Sequence, residues 1–163
     1  MKKLFFVFSI LSVLLVNSQA FTGKGDQKFQ IGANLQDEAT GINVTYDYGL
    51  GESFSVGLTS SYALSVDDRI DPDFDQRIDL KARFNANLGN VINVDENLDV
   101  YPGLNIGLKN FGGHFGARYF FGKGFGVFTE ASFPIAKYDE DATEIGNFIH
   151  NQFAVNIGAV FQL

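Results

Sequence analysis

The sequence predicts an all-β fold: an eight-stranded antiparallel up-and-down transmembrane β-barrel that follows a cleaved signal peptide. Three observations predict it. Apolar and polar residues alternate with a period of two through eight segments, the chain begins with an exported-protein leader, and the polar faces of the segments are nearly neutral. With 18 glycines, three prolines and no cysteine, strands joined by tight turns are favoured over a disordered chain or a disulfide-linked domain.

The first twenty residues have the organisation of a secretory signal peptide. Lys2 and Lys3 form a positive region, residues 4–16 are apolar, and Ala20 supplies a small residue at the predicted cleavage site. This apolar run is shorter than the ~20 residues that a transmembrane helix needs. We therefore assign residues 1–20 to a signal peptide and residues 21–163 to the barrel.

The charge of the mature chain excludes one class of partner. Without Lys2 and Lys3, ten Lys and Arg remain against 19 Asp and Glu, so the net charge is −9. Nucleic-acid binding needs a basic surface, because it depends on neutralising phosphates. We therefore expect no nucleic-acid partner.

Eight alternating segments define the predicted strands, and no segment after residue 20 has a helical period. Their apolar faces run, in chain order, through Phe29 to Leu35, Ile42 to Leu50, Phe54 to Leu64, Ile78 to Leu88, Leu98 to Leu108, Phe115 to Phe121, Phe125 to Phe133, and Ile149 to Leu163. Pro102 interrupts the fifth segment and predicts a bulge or a strand start there, because proline removes a ladder donor.

The connections differ in length between the two ends of the barrel. Residues 49–53 and 122–124 are glycine-containing turns, residues 110–113 form a short outer loop, and residues 65–77 and 136–147 are long and acidic. Both acidic loops lie opposite the chain termini, as the long loops of outer-membrane barrels do. Their acidic residues form a predicted contact surface: Asp67, Asp68, Asp71, Asp73, Asp75, Asp139, Glu140, Asp141 and Glu144.

The two faces of the strands differ in charge and in bulk. The apolar faces carry no charged residue. The polar faces carry five positive and four negative side chains: Lys28, Lys81, Arg83, Lys109, Arg118, Asp47, Asp79, Asp99 and Glu130. An eight-stranded barrel has an interior just wide enough for side chains to fill, and the large apolar residues would overfill it. We therefore place the polar faces in the lumen and the apolar faces in lipid.

Charges at membrane depth are expected to pair with one another, because isolated charge is costly there. The predicted lumen ion network consists of Asp47, Asp79, Lys81, Arg83, Lys109, Arg118 and Glu130. The alternative orientation, with the apolar faces inside, would give a soluble, lipocalin-like periplasmic carrier of an apolar ligand.

Two segments carry a family resemblance: FGARYFFGKGFGVFTEASF (115–133) and the terminal NIGAVFQL (156–163). In the terminal segment, Asn156, Gly158, Phe161 and Leu163 resemble the β-signal by which insertion machinery recognises outer-membrane proteins, although an aromatic residue is commoner than Leu163. Over residues 25–163 the chain resembles small outer-membrane β-barrels of the OmpA/OmpX-type, opacity-porin-like superfamily. The resemblance implies the outer membrane of a Gram-negative bacterium, with its lipid, its lipopolysaccharide and the barrel-insertion machinery as partners.

No catalytic residue, metal site or cofactor is predicted. His114 and His150 are expected to face the lumen from strand starts, without a nearby serine and acid in a triad spacing. The run that begins at Asp71 fails as an EF-hand, because its sixth and twelfth positions are Gln76 and Ala82. Loose Ca²⁺ or Mg²⁺ bridging from the acidic loops to lipopolysaccharide stays open.

The expected function is therefore non-enzymatic. The sequence favours a plugged polar lumen and a role in envelope integrity or surface interaction, since side chains fill the interior of eight-stranded barrels. A role as an accessory subunit of a larger outer-membrane complex stays open.

Overall fold

Eight antiparallel strands follow one another around a closed barrel, in which β1 also pairs with β8. The computed structural model describes residues 19–67, 72–92, 94–122, 124–138 and 145–163. The strands are β1 Gln27–Gln36, β2 Ala39–Gly49, β3 Phe54–Val66, β4 Ile78–Ala86, β5 Leu98–Gly107, β6 Asn110–Gly122, β7 Phe125–Lys137 and β8 Ala154–Gln162. The predicted all-β, eight-stranded up-and-down barrel is confirmed.

Burial alternates along the strands in the sense that the sequence predicts. In β1, Lys28, Gln30 and Asn34 are buried, whereas Ile31 and Leu35 are 42% and 45% exposed. Polar side chains therefore fill the lumen and apolar side chains cover the outside, as in a transmembrane barrel. This orientation disfavours the lipocalin-like alternative, since a carrier of an apolar ligand needs an apolar interior.

The two ends of the barrel are built differently. We call the end at which β1 begins and β8 ends the terminal end, and the opposite end the far end. The terminal-end connections include α1, Gly89–Ile92, and a turn in which Gly124 has a φ of 89°, a left-handed conformation that glycine adopts without strain. The far-end connections include a 3₁₀ turn, Asp75–Arg77, and α2, Ile145–His150. Among the described residues, no helix is long and apolar enough to cross a membrane.

The predicted acidic loops follow β3 and β7, both of which end at the far end. Of their acidic residues, Asp73 and Asp75 are exposed and Asp67 is half-buried. The remaining six lie outside the described residues: Asp68, Asp71, Asp139, Glu140, Asp141 and Glu144.

Residues 110–113 are not the loop that the sequence predicts but the first residues of β6. The connection is Leu108 and Lys109 alone. A Cβ at Gly112 would lie 2.6 Å from the carbonyl oxygen of Phe133 in β7. The glycine that suggested a loop instead lets two backbones approach closely.

The prediction that the last strand begins at Ile149 is wrong, because residues 149–153 lie outside it. Ile149 and His150 end α2, and β8 begins at Ala154, whose partner Gln36 is the last residue of β1. Beyond that pair β1 offers no further ladder position. The residues just before β8 therefore lie outside the ladder, and a short helix at the far end precedes them.

Pro102 is neither a bulge nor a strand start but lies within β5, opposite Phe115 of β6. On its other side, pairing of β5 with β4 stops at Gly103, after only five residue pairs. The amide of Leu88 then donates to the carbonyl oxygen of Val100 at 2.9 Å, so the segment that leads into α1 covers this edge of β5.

Candidate functional site in the barrel lumen

Five buried ionic side chains form a connected group at mid-lumen, which we call the central ion cluster: Asp47, Arg83, Asp99, Arg118 and Glu130. Asp47 lies between the two arginines, with its carboxylate oxygens 3.3 Å from Arg83 Nε and 3.3 Å from Arg118 Nη1. Arg118 Nε lies 3.1 Å from Asp99 Oδ2, and Arg83 Nη2 lies 2.7 Å from Glu130 Oε2. The Arg83–Glu130 contact has the short length of a charge-assisted hydrogen bond, which is stronger than a neutral one.

The strand register explains how the cluster assembles. Asp99 of β5 and Arg118 of β6 are direct cross-strand partners. Asp47 and Arg83 both pair with Gly57, which lies between them in β3. A Cβ at Gly57 would lie 2.3 Å from Asp47 Oδ1, so only glycine leaves the carboxylate free to reach across β3 towards Arg83.

The ring of Tyr101 lies against both arginines of the cluster. The centroid of this fully buried ring is 4.1 Å from Arg118 Cζ and 5.6 Å from Arg83 Cζ. Desolvated contacts between a guanidinium and an aromatic face are attractive. Gly116 makes room for the ring, because a Cβ there would lie 2.2 Å from Tyr101 Cζ.

Neutral amides also accept hydrogen bonds from both guanidinium groups. Arg118 Nη2 donates to Asn87 Oδ1 at 2.9 Å, and Arg83 Nε donates to Asn85 Oδ1 at 3.1 Å. His114 belongs to the same set, since its Nε2 lies 2.7 Å from Asn85 Oδ1. His114 is thus buried and faces the lumen as expected, but as a hydrogen-bonded member of the wall.

A second ion pair closes the lumen towards the terminal end. Lys28 Nζ donates to both carboxylate oxygens of Asp26, at 2.6 Å for Oδ2. The rings of Phe21 and Phe120 lie 5.8 and 5.4 Å from the same nitrogen. Phe120 also belongs to an apolar cluster with Phe128, so bulky side chains obstruct this end.

Between the central ion cluster and the far end lies a polar cavity of about 40 Å³. Its lining includes Asp79 and Lys81, whose charged atoms are 3.1 Å apart, and Glu130 at its base. Asp79 Oδ1 and Asn105 Oδ1 are buried without a hydrogen-bond partner in the structure. A polar space of this size holds a few water molecules, which can serve such oxygens.

The predicted lumen ion network divides into three parts. Asp47, Arg83, Arg118 and Glu130 fall in the central ion cluster, whereas Asp79 and Lys81 form a separate pair nearer the far end. Lys109 lies in the β5–β6 connection, where its Nζ donates to the carbonyl oxygens of Ile78 at 3.0 Å and Gln76 at 3.4 Å. Arg118 and Glu130 are diagonal neighbours as expected, yet each pairs with another residue.

The predicted network omits Asp99 and Asp26. Alternation places Asp99 on the inward face, and its register opposite Arg118 would have indicated the pair. Asp26 precedes β1, where the period-two pattern has not begun, so only its position two residues before Lys28 hinted at the contact.

The predicted insertion-signal residues lie along β8 and just beyond it. Asn156 accepts a hydrogen bond from Asn34 Nδ2 at 2.7 Å inside the lumen, and Gly158 packs against the backbone of β1. Phe161 lies on the outside, with its ring centroid 5.5 Å from that of Phe125. Leu163, at the end of the chain, is 65% exposed.

The described residues offer no group of three or more His, Cys, Asp or Glu side chains that could hold a metal ion. Each arginine of the central ion cluster contacts two carboxylates and one amide, and His114 is hydrogen-bonded on both ring nitrogens. Asp47 Oδ1 accepts no hydrogen bond in the structure and has only its ionic contact with Arg83. Inside the barrel, the three carboxylates and two guanidinium groups of the cluster offset most of one another's charge. Its charged groups all face one another.

Comparison with known proteins places the chain in a family. Residues 11–163 match a family of unknown function, DUF6646. The chain belongs to that family. No curated protein matches the chain.

Two solved structures resemble this DUF6646 member. One is a barrel from "De novo design of transmembrane beta-barrels", with 11% sequence identity, a TM-score of 0.59, and coverage of 87% of this chain and 98% of that one. The other is the solution NMR structure of Outer Membrane Protein G from Pseudomonas aeruginosa, with 11% identity, a TM-score of 0.49, and coverage of 88% and 99%. The likeness to the designed barrel shows a shared transmembrane β-barrel fold.

Proposed function

We propose that this chain is a non-enzymatic barrel of a Gram-negative outer membrane, exported by its N-terminal signal peptide, with a plugged polar lumen. Its role is envelope integrity or surface interaction, with lipid and lipopolysaccharide around it and the acidic far-end loops as its contact surface. We further propose that the chain is related to the OmpA/OmpX-type superfamily. The barrel-insertion machinery would then recognise its C-terminal residues Asn156, Gly158, Phe161 and Leu163.

The central ion cluster is the observation that supports the proposal most directly. Its side chains are no more than 5% exposed and reach one another across the lumen. A barrel of eight strands leaves no aqueous channel once side chains fill its interior. Every ionic side chain of the cluster also contacts an oppositely charged one, which favours a structural role over a catalytic one.

Planar-bilayer recording of the purified mature protein tests the plugged lumen. We expect no steady conductance at neutral pH, because the ion cluster and the phenylalanines towards the terminal end block the path. Arg118→Ala combined with Phe120→Ala is the matched variant, since it removes bulk from both blocks and should admit ion flow. A steady channel of nanosiemens size in the unmodified protein would contradict the proposal.

A second candidate function is that of an accessory subunit in a larger outer-membrane complex. It is favoured by an apolar patch on the terminal-end connection, where Val91, Ile92 and Val94 are 66%, 52% and 74% exposed. Patches of exposed apolar side chains outside the strands indicate interaction sites. Purification of the native protein in mild detergent should then yield a stoichiometric partner that a Val91→Asn, Val94→Asn variant fails to retain. Recovery of the unmodified protein alone would count against this candidate.

A further inference from the structure

Helix α2 covers the far end of the lumen with two neighbouring residues of different character. Ile149 is fully buried, in a cluster with Ala39 and Ala63. His150 is 4% exposed, and its Nε2 donates to the carbonyl oxygen of Gln76 at 3.0 Å. Asn110 Nδ2 in turn donates to the carbonyl oxygen of His150 at 3.1 Å. The last two residues of the helix therefore hold it to the barrel.

The lumen cavity lies directly beneath this attachment. His150 and Gln152 are among its lining residues, together with Asp79 and Lys81 of β4 and Ser132 of β7. The helix belongs to the β7–β8 connection, outside the barrel ladder. It can therefore move away without breaking a strand pair, and access to the cavity from the far end would then widen.

Charged groups from three elements surround the imidazole. Lys109 approaches from the β5–β6 connection, and Asp79 and Lys81 from β4. In the 3₁₀ turn, Asp75 is exposed and the Arg77 guanidinium is directed to the carbonyl oxygens of Ala63, Leu64 and Pro72. No other residue of α2 is charged.

The balance of these groups disfavours a charged imidazole in the docked helix. Two lysines oppose a positive charge on His150, and one aspartate favours it. Burial first, and Lys109 second, lower the pKa of His150 from 6.5 to about 4. A docked helix thus requires a neutral imidazole at pH values where a free imidazole is already protonated.

We propose that α2 is a pH-sensitive lid on the lumen cavity, docked while His150 is neutral and released when His150 is protonated. A folded-state pKa below the free value means that the docking free energy contributed by neutral His150 is fully present above pH 6.5. It is lost as the pH falls from 6.5 towards 4. At pH 5 the ratio of released to docked helix should rise about 30-fold over its value at pH 7.5.

Thiol labelling can measure the ratio of released to docked helix. The chain has no cysteine of its own, so a single introduced cysteine is the only thiol that reacts. Ser132→Cys places one thiol on the cavity wall. Its rate of reaction with methyl methanethiosulfonate, followed by mass in detergent micelles, reports the released population when re-docking is faster than labelling. Ser65→Cys, at an exposed far-end position, supplies the reference rate that corrects for the thiolate fraction at each pH.

In the Ser132→Cys protein that keeps His150, the normalised labelling rate should increase about 30-fold when the pH is lowered from 7.5 to 5. In the protein that also carries His150→Gln, the increase should be less than about twofold. Glutamine can still donate to the Gln76 carbonyl but does not titrate. Ile149→Ala should raise the rate at both pH values, since it weakens docking without changing the titrating group.

Three results would overturn the proposal. They are no increase at pH 5 in the His150 chain, an equal increase after His150→Gln, and an unchanged rate at pH 7.5 after Ile149→Ala. Heat-modifiable migration on unboiled gels, recorded for every variant at both pH values, confirms that the compared proteins are folded barrels. A change in labelling is then a change at the lid.

Discussion

Arg118 is a buried member of the central ion cluster, and its contacts show what single residues contribute here. Its guanidinium contacts two carboxylates, one amide and the face of Tyr101. Removing one partner of a buried ion pair leaves an uncompensated charge, which costs far more than the pair contributes. Arg118 is therefore expected to matter more to stability than any exposed charge.

Arg118→Ala should lower the free energy of unfolding by about 3–5 kcal/mol, because Asp99 and Asp47 lose a buried partner. The measurement is urea unfolding of the folded protein in lipid vesicles, followed by heat-modifiable migration. Lys137→Ala is the matched control, since it removes one positive charge from an exposed position. Equal effects of the two substitutions would rule out a stabilising role for the cluster.

Asp99 provides an independent check on the same contact. In a double-mutant cycle of Arg118→Met and Asp99→Leu, the combined substitution should cost less than the sum of the two by about 1–3 kcal/mol, because the residues share one buried bond. Additive effects would mean that the contact does not contribute. The difference between the combined effect and the sum of the single effects should persist in high salt, because salt screens buried ion pairs poorly.

The sequence predicts these residues' faces but not their partners. Period-two alternation places Asp47, Arg83, Asp99 and Arg118 on the inward side, and the structure has them there. It does not reveal that Asp47 meets Arg118, because those residues are 71 positions apart and meet across the lumen. Such contacts depend on strand tilt and stagger, which are properties of the closed barrel.

Among the strands, β3 shows how one strand brings side chains of its two neighbours, β2 and β4, into contact. It pairs with every residue of β2 and, over nine residues, with β4, and Gly57 lies between their charged residues. The elements that the sequence misses are the short ones. Helix α2 has six residues, fewer than two turns, so no helical period can emerge from it. The sequence predicts a loop at residues 110–113 because glycines suit loops and close strand contacts alike.

Gly57→Ala should destabilise the barrel by about 1–3 kcal/mol, because the added carbon must displace either Asp47 or the backbone of β2. A Cβ there would lie 2.3 Å from both Asp47 Oδ1 and the carbonyl oxygen of Tyr46. Gly51→Ala is the control, since no atom lies within 4 Å of a Cβ at that turn position. The same urea titration measures both, and a Gly57→Ala barrel as stable as Gly51→Ala would show that the strands adjust freely.

At the scale of the whole molecule, barrel closure and the lumen charges depend on each other. Closure gives each strand a neighbour on both sides and removes the open sheet edge that a membrane does not tolerate. It also brings β1 and β8 together, so that Asn34 and Asn156 bond across the last seam. The charged residues can then neutralise one another in a space that excludes lipid. A chain that fails to close would expose both an unpaired edge and ionic side chains.

The β1–β8 seam therefore decides whether the molecule folds at all, and Gly158 is its tightest point. Gly158 faces Gly32, and a Cβ at Gly158 would lie 2.1 Å from the carbonyl oxygen of Ile31. Gly158→Val should abolish heat-modifiable migration on unboiled gels, because the bulky side chain separates the two strands. Ala159→Val adds similar bulk to the outward face one residue later and should leave the migration unchanged. If Gly158→Val migrates as a folded barrel, the seam tolerates separation, and close backbone contact is not what closes the barrel.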